Sequence, residues 1–310
     1  MVGYFTKHSV HEELHRVASP PNSHVWVYGS SVTHEDLTGV ISQFSLDPNI
    51  VRDVMDKHEL PRVEYKDDVL YVFVRMVRRT KRGATVSTPL LAIVKGSVYV
   101  TLSTTDYFLP GTIVNSSSPV PAGNSKLILL ATLVAVVDEY EELINRTMMY
   151  IRSIDQRLRN READNKDFVH FVTVEDSLNE YQTNLTGILA VLGRLKENKR
   201  EAFQGRDIEA IDDIMLHVNQ LVVSVASHTQ SVNSIRNAYS TIANNTLNHR
   251  MKTLTVLTVL ITLPNVIYGM YGMNVALPFA NQPWAYMAIV AFTIVIILVA
   301  YLLVRRLKVF

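Results

Sequence analysis

YGMYGMNVALPFANQPWAYM, residues 268–287, lies between two long apolar runs and contains no Asp, Glu, Lys, Arg or His. It holds a Gly-Met-Asn turn, two prolines (Pro278 and Pro283) and three amide side chains. Outward from this stretch, those five residue types stay absent across the whole of 253–304. Each of them falls at or before Lys252, or at or after Arg305. A helix needs roughly 20 apolar residues to cross a bilayer core, and the runs at 251–272 and 284–304 each supply that length. A charge at the centre of either run would cost about 2.5–3.5 kcal/mol on insertion scales. The segment therefore reads as two transmembrane helices with a short connection, 273–283. A hydrophobic hairpin buried in a soluble core is the other way to hide such runs.

The flanks orient the pair. Arg250 and Lys252 precede the first run, Arg305, Arg306 and Lys308 follow the second, and the connection has no Lys or Arg. By the positive-inside rule both termini are cytoplasmic and the connection is outside. Tyr268, Tyr271, Trp284 and Tyr286 then fall at the outer interface, where aromatic belts form. The expectation is a multi-pass protein of the cytoplasmic membrane with most of its chain inside. The first residues, MVGYFTKHSVHEELHRV, contain no apolar h-region, so no cleavable signal peptide is expected.

Composition narrows the function. The 310 residues carry a formal net charge of +1 and no cysteine. Length allows one or two domains beside the membrane part. The near-neutral balance does not suit a nucleic-acid partner. The lack of cysteine excludes disulfides, thiolate metal sites and cysteine nucleophiles. No G-x-S-x-G, Walker A, G-x-G-x-x-G, H-E-x-x-H or kinase-like set is present, and no enzyme activity is expected. His8, His11 and His15 share a helical spacing that could hold a metal, but a solvated N-terminal segment gives the same pattern.

Residues 1–125 read as a cytoplasmic α/β domain. Strands are expected at 24–28, 62–64, 69–78, 89–94 and 97–103, and helices at 36–46 and 48–58, the second opened by Asp47-Pro48. A polar Pro/Gly segment, 115–124, closes the domain. Residues 126–204 read as a helical hairpin with arms at 127–159 and 168–199, and Asp138, Glu139, Glu141 and Glu142 form an acidic face on the first arm. Residues 205–272 read as a stalk helix that continues into the first span, 251–272. About 60 residues at 1.5 Å each make a rod of roughly 90 Å. Ile208, Met215 and Val222 share one heptad position, and Ile211, Val218, Val225 and Val232 another. Such a stripe implies helix partners, in other subunits or in the same domain. Residues 284–304 form the second span and 305–310 a basic tail able to meet anionic lipid.

One chain with two spans encloses no water-filled path. Either the spans anchor the cytoplasmic part or several chains assemble a pore. The helix that forms the first span carries Asn248, Thr255, Thr258, Thr262 and Asn265 at helical spacing, and polar groups at membrane depth need partners or water. The second span has almost none and reads as lipid-facing.

Tyr271-Gly272-Met273-Asn274 at the end of the penultimate span, with a short loop, a last span and a basic tail, resembles the CorA family of magnesium channels and transporters. PRVEYKDDVLYVFVRM, LLAIVKGSVYVTL, LATLVAVVDEYEELINRTMMYIRSID and MKTLTVLTVL look like the matching family segments in order, so the resemblance covers about 25–310. It implies an α+β membrane protein: an α/β domain, a long-helix stalk and two C-terminal transmembrane helices in a funnel-shaped homopentamer. Carried over by position, Gly272, Met273 and Asn274 form the selectivity filter, and Asn265, Thr262, Leu254, Met251 and Asn248 line the pore. Leu254 and Met251 form its hydrophobic constriction. Pro264 falls one residue later than the family pattern, which bears on the register of Thr262 and Asn265. Asp53 and Asp213, with Asp212 beside it, match inter-subunit Mg²⁺ sites that hold the pore shut. A favourable acidic first turn is the other reading of the helical pair. Arg305, Arg306 and Lys308 match a basic collar.

The transported and regulatory ion implied is Mg²⁺, with Co²⁺ or Ni²⁺ as further cargo. A zinc transporter of the related ZntB group is the variant reading, but its signature reads Gly-Ile-Asn and Met273 stands against it. The alternative from another class is a membrane-anchored cation sensor or scaffold without transport. The outer loop lacks the acidic residues many family members carry there.

Overall fold

The computed structural model describes residues 2–6, 15–17, 25–79, 85–107, 124–159, 165–197, 202–273 and 282–306. Asn274, most of the connection 273–283, Lys308, the 115–123 segment, His8 and His11 lie outside the described residues. The chain divides into two compact units, Met1–Ser234 and Ile235–Phe310.

The first unit is built on a seven-stranded sheet of order β2-β1-β3-β7-β6-β5-β4. Its strands are β1 (Val2–Thr6), β2 (His15–Val17), β3 (Val25–Gly29), β4 (Arg62–Lys66), β5 (Val69–Arg79), β6 (Thr85–Lys95) and β7 (Val98–Leu102). Only β3 and β7 pair in parallel; the other neighbours are antiparallel. The central strands are apolar at nearly every position because both faces are covered. On one face Val69, Tyr71, Phe73, Leu91, Ile93, Val100 and Leu102 pack with Leu37 and Val40 of α1 (His34–Phe44) and Ile50 and Val51 of α2 (Pro48–Arg52). On the other lie the residues between them. Tyr99, for example, donates its hydroxyl to Thr132 Oγ1 at 2.8 Å. Thr132 belongs to α3 (Ser125–Arg159), which lies against the sheet together with α4 (Asn165–Glu197).

Local chemistry sets the short elements. Thr33 and Asp36 cap α1 reciprocally, and Asp47 caps α2 through the Asn49 and Ile50 amides with Pro48 at the first turn. The helix expected over 48–58 stops early. It ends at Arg52 and tightens into a 3₁₀ turn, Asp53–Met55, after which Asp56 accepts the His58 amide. An Asp that bonds the backbone two residues on favours a turn over a helix. The expected strands at 62–64 and 89–94 extend to Arg62–Lys66 and Thr85–Lys95, and Pro89 sits within β6 opposite Arg75. Strands β1 and β2 were not foreseen, since neither shows a clear alternation and both are fixed by pairing outward from β3.

Helix α5 (Arg206–Tyr271) contributes to both units. Within the first, Ile211, Val218, Val225 and Val232 are fully buried, whereas Met215 and Val222 are only half-buried. The heptad stripe therefore finds its cover largely in its own chain. His217 meets Glu141 of α3 and Lys196 of α4 meets Asp212, so α5 is flanked by both arms.

The second unit holds the rest of α5 and α6 (Ala285–Arg306), the two helices long and apolar enough to cross a membrane by length and composition. Their large apolar side chains, among them Leu257, Ile261, Phe292 and Leu298, are mostly exposed in the single chain. Such surfaces are stable against lipid or neighbouring helices, not against water.

Candidate functional site

The polar face of α5 is made by spacing. Asn248, Met251, Thr255, Thr258, Thr262 and Asn265 recur at three and four residues and so share one side of the helix. All are exposed, as is Leu254. Thr255, Thr258 and Thr262 donate their hydroxyls to the carbonyls of Met251, Leu254 and Thr258, at 2.9, 2.8 and 2.7 Å. A hydroxyl whose proton is tied to its own helix offers only lone pairs outward. The carboxamides of Asn248 and Asn265 make no hydrogen bond among the described residues. This face thus presents acceptors without a charge, and a hydrated cation presents the complementary O–H donors.

Pro264 sits inside α5 and supplies no amide proton, which leaves the Leu260 carbonyl without its helical donor. At its C-terminal end the helix tightens. The Gly272 amide donates to the Tyr268 carbonyl at 3.0 Å and the Gly269 carbonyl at 3.3 Å, and the Met273 amide donates to Met270 at 3.3 Å. A Cβ on Gly272 would stand 3.4 Å from the Tyr268 oxygen, an ordinary contact distance. Gly272 and Met273 end the described part of the turn, and Asn274 follows outside it. Arg305 and Arg306 are exposed in the last turn of α6, where cations complement a helix C-terminus.

Asp53 lies half-exposed in its 3₁₀ turn and is held by Arg62, whose Nη2 donates to Oδ2 at 2.7 Å. Arg62 also pairs with Glu59 and Glu64, and its guanidinium stands 4.3 Å over the Phe73 ring. Asp212 is bound by Lys196 Nζ at 2.6 Å. Asp213 is exposed and has no ion pair among the described residues. No bond joins Asp53 to Asp213 within the chain.

Sequence reasoning saw only an acidic helix face where the structure assembles a three-residue group. Asp138 and Glu141 of α3 meet His217 of α5, with one ligand atom from each within 4.8 Å of the others. His217 Nε2 lies 3.2 Å from Glu141 Oε2. Desolvation raises the Asp138 pKa, Glu141 raises it further and His217 opposes both. Asp138 also lines a cavity of about 460 Å³ bounded by Arg78, Asp106, Glu139 and Glu142. Burial likewise raises the Glu139 pKa, with Glu142 adding to it and Arg78 opposing. The acids sit one turn apart on one helix and were legible as a face; the histidine comes from a helix far along the chain.

A family model described as CorA-like Mg²⁺ transporter protein matches residues 21–306. The chain belongs to the CorA family. A cobalt/magnesium transport protein CorA of Methanocaldococcus jannaschii is 22% identical over 289 residues, covering 91% of this chain and 90% of its own. One of Thermotoga maritima is 20% identical over 286 residues, covering 89% and 81%. The complete structure of the CorA magnesium transporter from M. jannaschii superposes with a TM-score of 0.83 at 18% identity, over 99% of this chain and 98% of that one. At that identity the superposition establishes the fold, and with it the α/β domain, long helix and apolar C-terminal helix expected from the sequence. The CorA relatives are transport proteins, in keeping with a chain that shows no catalytic motif.

Proposed function

We propose that this CorA-family chain is one subunit of a homopentameric channel for Mg²⁺ uptake across the cytoplasmic membrane, with Co²⁺ or Ni²⁺ as further cargo. The observation that carries the reading is the uncharged Asn/Thr face of α5 on a helix otherwise fit for lipid. Mg²⁺ dehydrates reluctantly and keeps an octahedral water shell. Amide and hydroxyl oxygens accept hydrogen bonds from that shell without stripping it, whereas a carboxylate ring would bind more tightly and slow exit. Inward flow needs no further energy source, because a divalent ion gains about 4.6 kcal/mol per 100 mV.

In this reading Gly272, Met273 and Asn274 form the filter. Asn265, Thr262, Leu254, Met251 and Asn248 line the path. Arg305, Arg306 and Lys308 make a basic collar against lipid headgroups. Both termini are cytoplasmic, and the domains follow the bounds drawn from the sequence. Mg²⁺ held between subunits by Asp53 and Asp213, assisted by Asp212, favours the closed state, and its loss leaves like charges facing each other. The protein is not an enzyme and takes no nucleic acid.

The deciding experiment is Mg²⁺ influx into proteoliposomes under an inside-negative potential, read with a magnesium-sensitive dye, for the wild type and Asn274→Ala. Influx in the wild type that the substitution abolishes or deregulates supports the channel. No influx above empty liposomes at low internal Mg²⁺ turns the assignment to an anchored sensor. The same assay with Zn²⁺ tests the zinc-transporter variant.

A further inference from the structure

We propose that Arg62 is a built-in latch on Asp53, a cation supplied by the chain itself that a divalent ion has to replace, and that it thereby sets how much Mg²⁺ closes the proposed channel. The inference rests on the reading of Asp53 as part of the closing site and adds the regulation of that site. Asp53 is the first residue of the 3₁₀ turn Asp53–Met55, and Arg62 is the first of β4. Each of the three guanidinium nitrogens meets a different carboxylate. Nη2 donates to Asp53 Oδ2 at 2.7 Å, Nε donates to Glu64 Oε1 at 2.5 Å, and Nη1 pairs with Glu59. Arg62 stands opposite Phe73 in the β4–β5 register, and its guanidinium lies 4.3 Å over that ring. Three acids share one base, and Asp53 as folded offers an ion a carboxylate already bonded to a cation.

The exposures decide which contact gives way. Side-chain exposure is 46% for Asp53, 39% for Glu64 and 13% for Glu59. Asp53 is the acid that solvent reaches most easily, whereas Glu59 and the Phe73 ring anchor Arg62. The planar guanidinium holds several acceptors at once, so it can leave Asp53 and stay bound to Glu59, Glu64 and the ring. An ion that binds only released Asp53 has its apparent affinity reduced by the fraction of chains in which Arg62 has let go. A latch closed in roughly nine chains of ten would weaken Mg²⁺ about tenfold. Glu64 works against the latch, since it competes with Asp53 for the same guanidinium.

The test is the rise in melting temperature of the purified full-length protein in detergent as Mg²⁺ is added. The Mg²⁺ concentration at half-effect is read for the part of the rise that Asp53→Asn removes. Arg62→Met should lower that concentration several-fold, and Glu64→Gln should raise it about twofold or more. In the Arg62→Met background Glu64→Gln should shift it little, because Glu64 then has no guanidinium to draw away. Melts without Mg²⁺ confirm that each variant folds. If Arg62→Met does not, Glu64→Gln, at a half-exposed strand position, decides by its direction. The latch is overturned if Asp53→Asn leaves the whole rise in place, or if folded Arg62→Met or Glu64→Gln keeps the half-effect of the wild type. It is equally overturned if the two shifts simply add in the double variant, as charges acting at a distance would. Stability and not flux is read, so failure here leaves the transport reading standing, and a chain that passes no ion leaves this result standing.

Discussion

A threonine hydroxyl in a membrane helix has one proton to place, and α5 places each one on its own backbone. What remains outward is a row of acceptors, which in the proposed pore would meet a hydrated cation without a counter-charge. The same economy of partners governs Asp53, but there the cation is internal. Arg62 occupies Asp53 at 2.7 Å and is itself shared among three carboxylates. If Mg²⁺ binds Asp53 as proposed, it must displace this guanidinium. Arg62→Met should therefore lower, several-fold, the internal Mg²⁺ concentration that half-inhibits influx. Influx measured across a series of internal Mg²⁺ concentrations checks this. An unchanged or higher half-inhibiting concentration would mean that Asp53 does not hold the closing ion.

At the scale of elements, what was legible in the sequence was local and what was missed was not. The two apolar helices are announced by an unbroken absence of charge, a property each stretch carries by itself. The stripe Ile211, Val218, Val225 and Val232 was equally visible, but period alone does not say which surface covers it, and the chain covers it itself. Strands β1 and β2 pair locally with each other and with β3 but carry too weak an alternation to declare themselves, whereas the Asp138–His217 approach joins helices far apart in the chain, so no window of sequence contains it. The packing of α4 on the sheet is another such case. A Cβ on Gly187 would lie 2.6 Å from Pro61 Cγ, and the proline ring has no rotamer to escape into. Gly187→Val should cost about 1–3 kcal/mol by overpacking, read as a lower melting temperature of the cytoplasmic part, whereas Gly193→Val, with open space around it, should cost less.

The helix caps and the acidic face pull the stability of the first unit in opposite directions with pH. Asp47 is held below the usual carboxylate range by Lys66 and by the Ile50 and Asn49 amides, and Asp36 by the Thr33 amide. A depressed carboxylate adds stability above its unfolded pKa of about 3.9, and that stability is lost as pH falls through the lower folded value. Glu139 is the reverse case. Burial lifts its pKa, so its contribution is present at low pH and is lost as pH rises through the raised value. Thermal melts should therefore show Asp47→Asn less stable than wild type at pH 7, with the gap closing below about pH 4. Glu139→Gln should be more stable than wild type at pH 7, with its advantage shrinking toward acid.

On the scale of the whole molecule, the ionisable side chains all fall outside 253–304, so in the proposed topology one side of the membrane would carry nearly all of them. The loop 273–283 has no acidic side chain, so the outer mouth of the proposed channel would not concentrate cations by long-range attraction. In the proposed channel, uptake would then rest on the potential and on short-range hydrogen bonds to the filter. Influx at low external Mg²⁺ should consequently vary little with monovalent salt in the wild type. Gln282 is exposed just before the start of α6, and Gln282→Glu would place a ring of charges at the mouth if five chains surround it. Its influx at low Mg²⁺ should exceed the wild type severalfold in about 10 mM salt, where the Debye length is about 30 Å. The gain should disappear near 1 M, where that length is about 3 Å. Proteoliposome influx at matched potential and graded salt measures both. A gain that persists at high salt would place the new carboxylate in direct contact with the ion. No gain at low salt would mean that entry at the mouth does not limit the flux.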